Sequence, residues 1–93
     1  MRVTQKILDQ KLHNLNELTG ESPYEYSRES DGVRHYNIGT YVIGHNAGNV
    51  RLERIDNDAR GTHELTGFTS KRELYYMINA FMKGYVTGLN KCR

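Results

Sequence analysis

The chain has 93 residues, 37% hydrophobic and 26% charged, with a formal net charge of +2. That length predicts one domain burying about two thirds of the surface its unfolded chain would expose, hence a small core. A mean hydropathy of −0.76 and a sequence pI near 8.8 exclude a disordered or membrane-embedded class, and they are too mildly basic to make nucleic-acid binding the default.

The opening stretch, MRVTQKILDQKL, carries charge every few residues, and no run of 18 apolar residues occurs, so neither a signal peptide nor a membrane segment is expected. From Val3 to Leu18, the residues Ile7, Leu8, Leu12, Leu15 and Leu18 fall on one helical stripe, and Gly20 can end the helix. Lys11 sits at the stripe's edge, where its stem would lie on apolar surface while its ammonium reaches water.

Between Glu21 and Gly67 the punctuation becomes Ser22-Pro23, Asp31-Gly32, Gly39, Gly44, NAGN and NDARG, with tyrosines and β-branched residues between. This predicts short strands near Tyr24 to Ser27, Val33 to Gly44, Asn49 to Ile55 and Thr62 to Thr66. Asn46 to Asn49 reads as a tight hairpin turn, because Gly48 takes a positive φ without penalty. Within the next strand Val50 and Leu52 share a face and Arg51 and Glu53 face water, until alternation fails at Arg54-Ile55, as at a bulge or a strand end.

Ser70 followed three residues later by Glu73 is a capping box, and the apolar period starts at once with Leu74. Leu74, Met77, Ile78, Phe81 and Tyr85 form the expected core stripe of this second helix, with Gly84 placed for a close approach to the sheet. The predicted fold is therefore a single α+β domain over 1–93 in α-β-β-β-α order, with three strands, or four if Tyr24 to Ser27 forms a short one. Its antiparallel sheet carries both helices on one face.

Sites for chemistry are not expected. His13, His35, His45 and His63 show none of the spacings of a metal site. Asp56 to Gly61 imitates the start of a calcium loop, but Arg60 stands at the fifth position and Gly67 at the twelfth, where oxygen ligands belong, so it reads as a polar turn. Gly39 and Gly44 have phosphate-loop spacing, yet His45 and Asn46 replace the Lys and Ser/Thr that such a loop needs. Cys92, the single cysteine, has no partner for a disulfide and fits a reducing, cytoplasmic setting. No nucleophile motif occurs, so neither enzyme activity nor a cofactor or metal is expected.

What remains is a face. At about 100° per residue, Arg72, Tyr76, Asn79 and Lys83 gather opposite the core stripe, flanked by Lys71 and Tyr75. A basic stripe holding an aromatic grips phosphate and stacks a base, or anchors a protein partner through the tyrosine. Seven tyrosines, against two phenylalanines and no tryptophan, supply rigid area with a polar tip, and Tyr24, Tyr26, Tyr36 and Tyr41 fall in the sheet region. A homodimer through sheet edges or exposed tyrosines is expected for so small a core.

The stretches LNELTG, YNIGTYVIG, GNVRLERIDN and LTGFTSKRELYYMINAFMKG together resemble small proteins encoded by bacteriophages and other mobile elements. That resemblance implies an accessory protein of the host-cell cytoplasm acting by binding host or viral components. In its order of elements, and in TGFTSKREL, the chain also resembles the double-stranded RNA-binding domain. Lys71 and Arg72 match that family's phosphate-contacting basic pair, and Gly32 to His35 its first hairpin loop, whereas Tyr75 and Leu74 stand where it has lysine and alanine. The expected function is a non-catalytic binding module acting through a macromolecular partner, protein or nucleic acid, the alternatives being a nucleic-acid-binding protein that uses the basic and aromatic face of the second helix and, last, a small enzyme.

Overall fold

The computed structural model describes residues 2–28, 32 and 34–91. Its first helix, α1, spans Gln5–Thr19, starting two residues after the predicted Val3 because Thr4 is extended and caps it. The Thr4 hydroxyl accepts from the Ile7 N–H at 3.3 Å. Val3, just outside the cap, joins Leu8 in the core, a hydrophobic staple that fixes the angle of entry. At the other end Gly20 takes φ 79°, and its N–H and that of Glu21 bond to the carbonyls of Glu17 and Asn16, closing the last turn.

Among the described residues five strands follow, in two antiparallel sheets. β1 (Tyr26–Arg28) and β2 (Arg34–Tyr36) form a hairpin, with Tyr26 opposite Tyr36. β3 (Tyr41–Asn46), β4 (Asn49–Ile55) and β5 (Thr62–Glu64) form the main sheet in that order. The single strand expected over Val33 to Gly44 is therefore two strands, and Val33 itself lies outside the described residues. The break has a side-chain cause: the Asn37 amide donates to the Tyr24 carbonyl at 2.8 Å and to Ser22 Oγ at 3.2 Å, while Gly39 turns the chain at φ 95°.

The β3–β4 turn falls where the sequence puts it, with Asn46 opposite Asn49 and positive φ at both Ala47 (50°) and Gly48 (83°), as a two-residue hairpin loop requires. β4 keeps regular pairing to Ile55, so the loss of alternation there marks the strand's end and no bulge. The following loop is the polar turn expected: Asn57 Oδ1 accepts from the N–H groups of Ala59 (3.0 Å) and Gly61 (2.9 Å).

The second helix, α2, spans Lys71–Lys91. Ser70 Oγ accepts from the Glu73 N–H at 3.1 Å, but the Glu73 carboxylate takes the Thr69 hydroxyl at 2.6 Å, so the cap is one-sided. Both helices pack on the main sheet, α1 on β3 and α2 on β4, and against each other. The core joins Leu8 and Leu15 of α1, Tyr41, Val50 and Leu52 of the sheet, and Leu74 and Ile78 of α2.

Two expectations for α2 fail. Met77 and Phe81, placed in the core stripe, are 47% and 45% exposed, and the half-buried apolar residues of α2 packed against the core are Tyr75 and Met82 instead. The inward face is rotated because α1 packs along one side of the helix. Gly84 makes no close approach, since a Cβ there would meet nothing within 4 Å.

Among the described residues three polar side chains are buried in this fold, and one of them, Thr40, donates its hydroxyl to the Ser22 carbonyl at 3.1 Å. Buried Asn16 donates to the Tyr41 carbonyl at 3.0 Å and accepts from the Tyr41 N–H at 2.8 Å, tying α1 to the edge of β3. Glu53, also buried, accepts from Arg51 Nε at 2.7 Å and from the Thr62 hydroxyl at 2.9 Å. Burial raises the Glu53 pKa, but these hydrogen bonds and the charges of Arg51 and Arg60 outweigh it and hold the carboxyl below its ordinary value. Gly44 pairs with Arg51 and lies diagonal to Glu53 on the same face, and a Cβ there would stand 2.1 Å from Glu53 Oε2. This glycine belongs to a packed carboxylate and to no phosphate loop.

Candidate functional site

The six predicted residues divide between two settings on α2. Arg72, Tyr76 and Lys83 are exposed on its outer face, where the Arg72 guanidinium lies 5.9 Å from the centre of the Tyr76 ring. Lys71, Tyr75 and Asn79 are half-buried. Tyr75 and Asn79 turn toward α1 and meet a residue whose role the sequence reading missed. Lys11 Nζ stands 4.9 Å from the centre of the Tyr75 ring and donates to Asn79 Oδ1 at 3.4 Å. Its ammonium is thus part of the seam between the helices, and does not simply reach water. The signal was its place within an apolar stripe, although only packing of α2 alongside α1 gives that place a partner.

Tyr75 and Tyr76 bind the two settings together, edge to face with ring centres 5.7 Å apart. The result is a continuous patch across α1 and α2 with an aromatic pair at its middle and Lys11, Lys71, Arg72 and Lys83 around it. Next to Lys83 and Asn79 an apolar notch of about 530 Å³ opens, lined also by Leu18, Met82, Val86 and Thr87.

The cations of this patch differ from those of the sheet. Arg51 pairs with Glu53 at 2.7 Å, Arg54 with Glu21 at 3.1 Å and Arg60 with Glu25 at 2.9 Å. Among the described residues no carboxylate pairs with Lys11, Lys71, Arg72 or Lys83. Arg51, Arg54 and Arg60 are thus compensated within the chain, whereas among the described residues the four cations of the patch are not.

A second aromatic and basic cluster, absent from the predicted site, lies on the β1–β2 hairpin. The Arg34 guanidinium sits 4.2 Å from the centre of the Tyr26 ring, and Tyr26 and Tyr36 meet edge to face at 5.8 Å. Among the histidines, His13 bonds Glu17 at 2.8 Å and His63 bonds Asp56, both as exposed pairs. Among the described residues no group of three metal-ligating side chains occurs, and no helix is long and apolar enough to cross a membrane. Cys92 lies outside the described residues. No protein family, curated protein or solved structure matches the chain.

Proposed function

We propose that the protein is a non-catalytic binding module, and that the α1–α2 face takes an acidic protein partner. The observation that carries this is the set of four cations, without a carboxylate among the described residues, surrounding Tyr75 and Tyr76. The adjoining apolar notch supports a protein over a simple polyanion, because an apolar side chain seated there between acidic neighbours would give the anchor-and-rim pattern of binding hot spots. The accessory role in a host cytoplasm, implied by the resemblance to phage and mobile-element proteins, belongs to the same proposal.

Single-stranded nucleic acid is the second reading, favoured by the recurrence of arginine over tyrosine on the β1–β2 hairpin, since guanidinium planes and aromatic rings are what unstacked bases pack against. Salt separates the two. A labelled single-stranded oligonucleotide held by phosphate contacts from Lys71, Arg72 and Lys83 should bind with a log–log salt slope of roughly −2, at about −0.7 per contact. An acidic protein partner should lose affinity with salt less steeply than the oligonucleotide, because its apolar anchor is not screened, and should show its largest loss on Tyr76→Ala. A steep slope with the oligonucleotide would favour the second reading, and capture from lysate that resists nuclease would favour the first.

A further inference from the structure

α2 is 21 residues long and outruns the body that it packs on. Leu89 follows Ile78 by eleven residues and Tyr85 by four, at the angular position of the buried stripe, yet it is 47% exposed where Ile78 is 0%. The opposite condition holds beside the first half of the same helix. With α1 on β3 and α2 on β4, an apolar groove of about 330 Å³ stays open next to α2, lined by Leu52, Leu65, Thr66, Met77, Ile78 and Phe81. One end of the helix lacks something to rest on, and the other lacks something to cover it.

Met77, Phe81, Gly84 and Gly88 succeed one another at spacings of four, three and four, so they run in line along the groove side of α2. The first two are large and the last two have no side chain. A Cβ at Gly84 or Gly88 would meet nothing within 4 Å, so among the described residues nothing requires either glycine, although glycine is among the poorest residues for a helix interior. From Leu74 to Leu89 the single charged residue is Lys83, and it projects about 130° away from the line.

We propose that α2 pairs with the α2 of a second copy, antiparallel, about a two-fold axis passing beside Met82 and Lys83. In that register Met77 meets Gly88 of the second copy and Phe81 meets its Gly84, and symmetry repeats both contacts. Each large side chain then fills the hollow left by a glycine. The overhanging end with Leu89 comes to rest beside Met77 and Leu65 of the other copy, in the open groove. Ridge and hollow stand on one chain at matching distances from the axis, which is the condition for a self-complementary contact and not one that an unrelated partner imposes. The contact expected at sheet edges or tyrosines thus moves to α2, and Arg72, Tyr76 and Lys83 stay outside it.

The paired length is about 16 residues, or about 24 Å of helix. That corresponds to roughly 500–600 Å² per copy, at the low end for a specific interface, so association in the micromolar range is expected. Sedimentation equilibrium of the full chain, from low micromolar to a few hundred micromolar, should show the mass rising from 10.8 kDa toward twice that value. Gly84→Leu with Gly88→Leu should weaken dimerisation at least about tenfold while helix content by circular dichroism is kept or raised, since leucine is the better helix former. Met77→Lys, at an exposed position, should do the same with the glycines intact, and it decides the matter if the leucine variant fails to fold. A wild-type chain that stays monomeric throughout, or a dimer that survives Met77→Lys, would overturn the proposal.

Discussion

Replacing Gly44 by alanine tests whether the buried carboxylate of Glu53 organises the outer face of the main sheet. The new Cβ would lie 2.1 Å from Glu53 Oε2 and 2.7 Å from its Cδ, so the carboxylate must leave its position. It would then lose the 2.7 Å bond from Arg51 Nε and the 2.9 Å bond from the Thr62 hydroxyl. Hydrogen bonds to a charged group contribute about 1.5–3 kcal/mol each, and alanine recovers about 0.5–1 kcal/mol over glycine within a strand, so losing both leaves a net loss of about 2–5 kcal/mol. In a domain of this size that lowers Tm by about 4–8 °C per kcal/mol. With Glu53→Ala already in place the clash is gone, and the same substitution should become neutral or stabilising. Urea unfolding of the four proteins in the cycle measures the coupling. An equal loss from Gly44→Ala in both backgrounds would refute the close packing of glycine against carboxylate.

Because the folded pKa of Glu53 lies below its ordinary value, its contribution is complete above the unfolded carboxyl pKa of about 4.3 and is lost as pH falls through the folded value. The stability gap between wild type and Glu53→Gln should therefore be constant above about pH 5 and shrink as pH falls below that, as followed by the urea midpoint. Asn16→Ala should cost about 2–4 kcal/mol by leaving the buried N–H and carbonyl of Tyr41 unpaired, and thermal unfolding measures it. Ala47→Asn should raise stability by about 0.5–1 kcal/mol, because Ala47 holds φ 50° in the hairpin turn and asparagine tolerates that region; an unchanged Tm would contradict it.

The features legible in the sequence were those whose causes are local. Gly20 ends α1, Ser70 starts α2 and Gly48 closes the β3–β4 turn, each through atoms within a few residues, whereas the Thr4 cap that sets the start of α1 was missed. The break between β2 and β3 was hidden because its cause is not local: Asn37 is bonded to Ser22 and Tyr24, more than a dozen positions away. α2 was misread by rotation. With so many apolar residues around its circumference, periodicity centres the stripe on Leu74 and Phe81, whereas α1 packs alongside and turns the inward face by about 60° toward Tyr75 and Met82. The same displacement divided the predicted site. Arg72, Tyr76 and Lys83 stay outward as expected, Tyr75 and Asn79 go to the helix seam, and Lys11 joins them from a helix that sequence spacing cannot set beside α2.

The central claim is that the α1–α2 face is where the protein meets its partner. Its most direct test is quantitative capture from nuclease-treated lysate, comparing wild type with the Arg72→Ala, Tyr76→Ala and Lys83→Ala triple variant. All three residues are exposed, so the variant should fold as wild type does, with stability changed by less than about 0.5 kcal/mol per site. The account predicts a protein partner retained by wild type and lost from the variant, with most of the loss recovered when Tyr76 alone is restored. Equal recovery of the same partner by both proteins would contradict it and leave the four cations as a solvated surface.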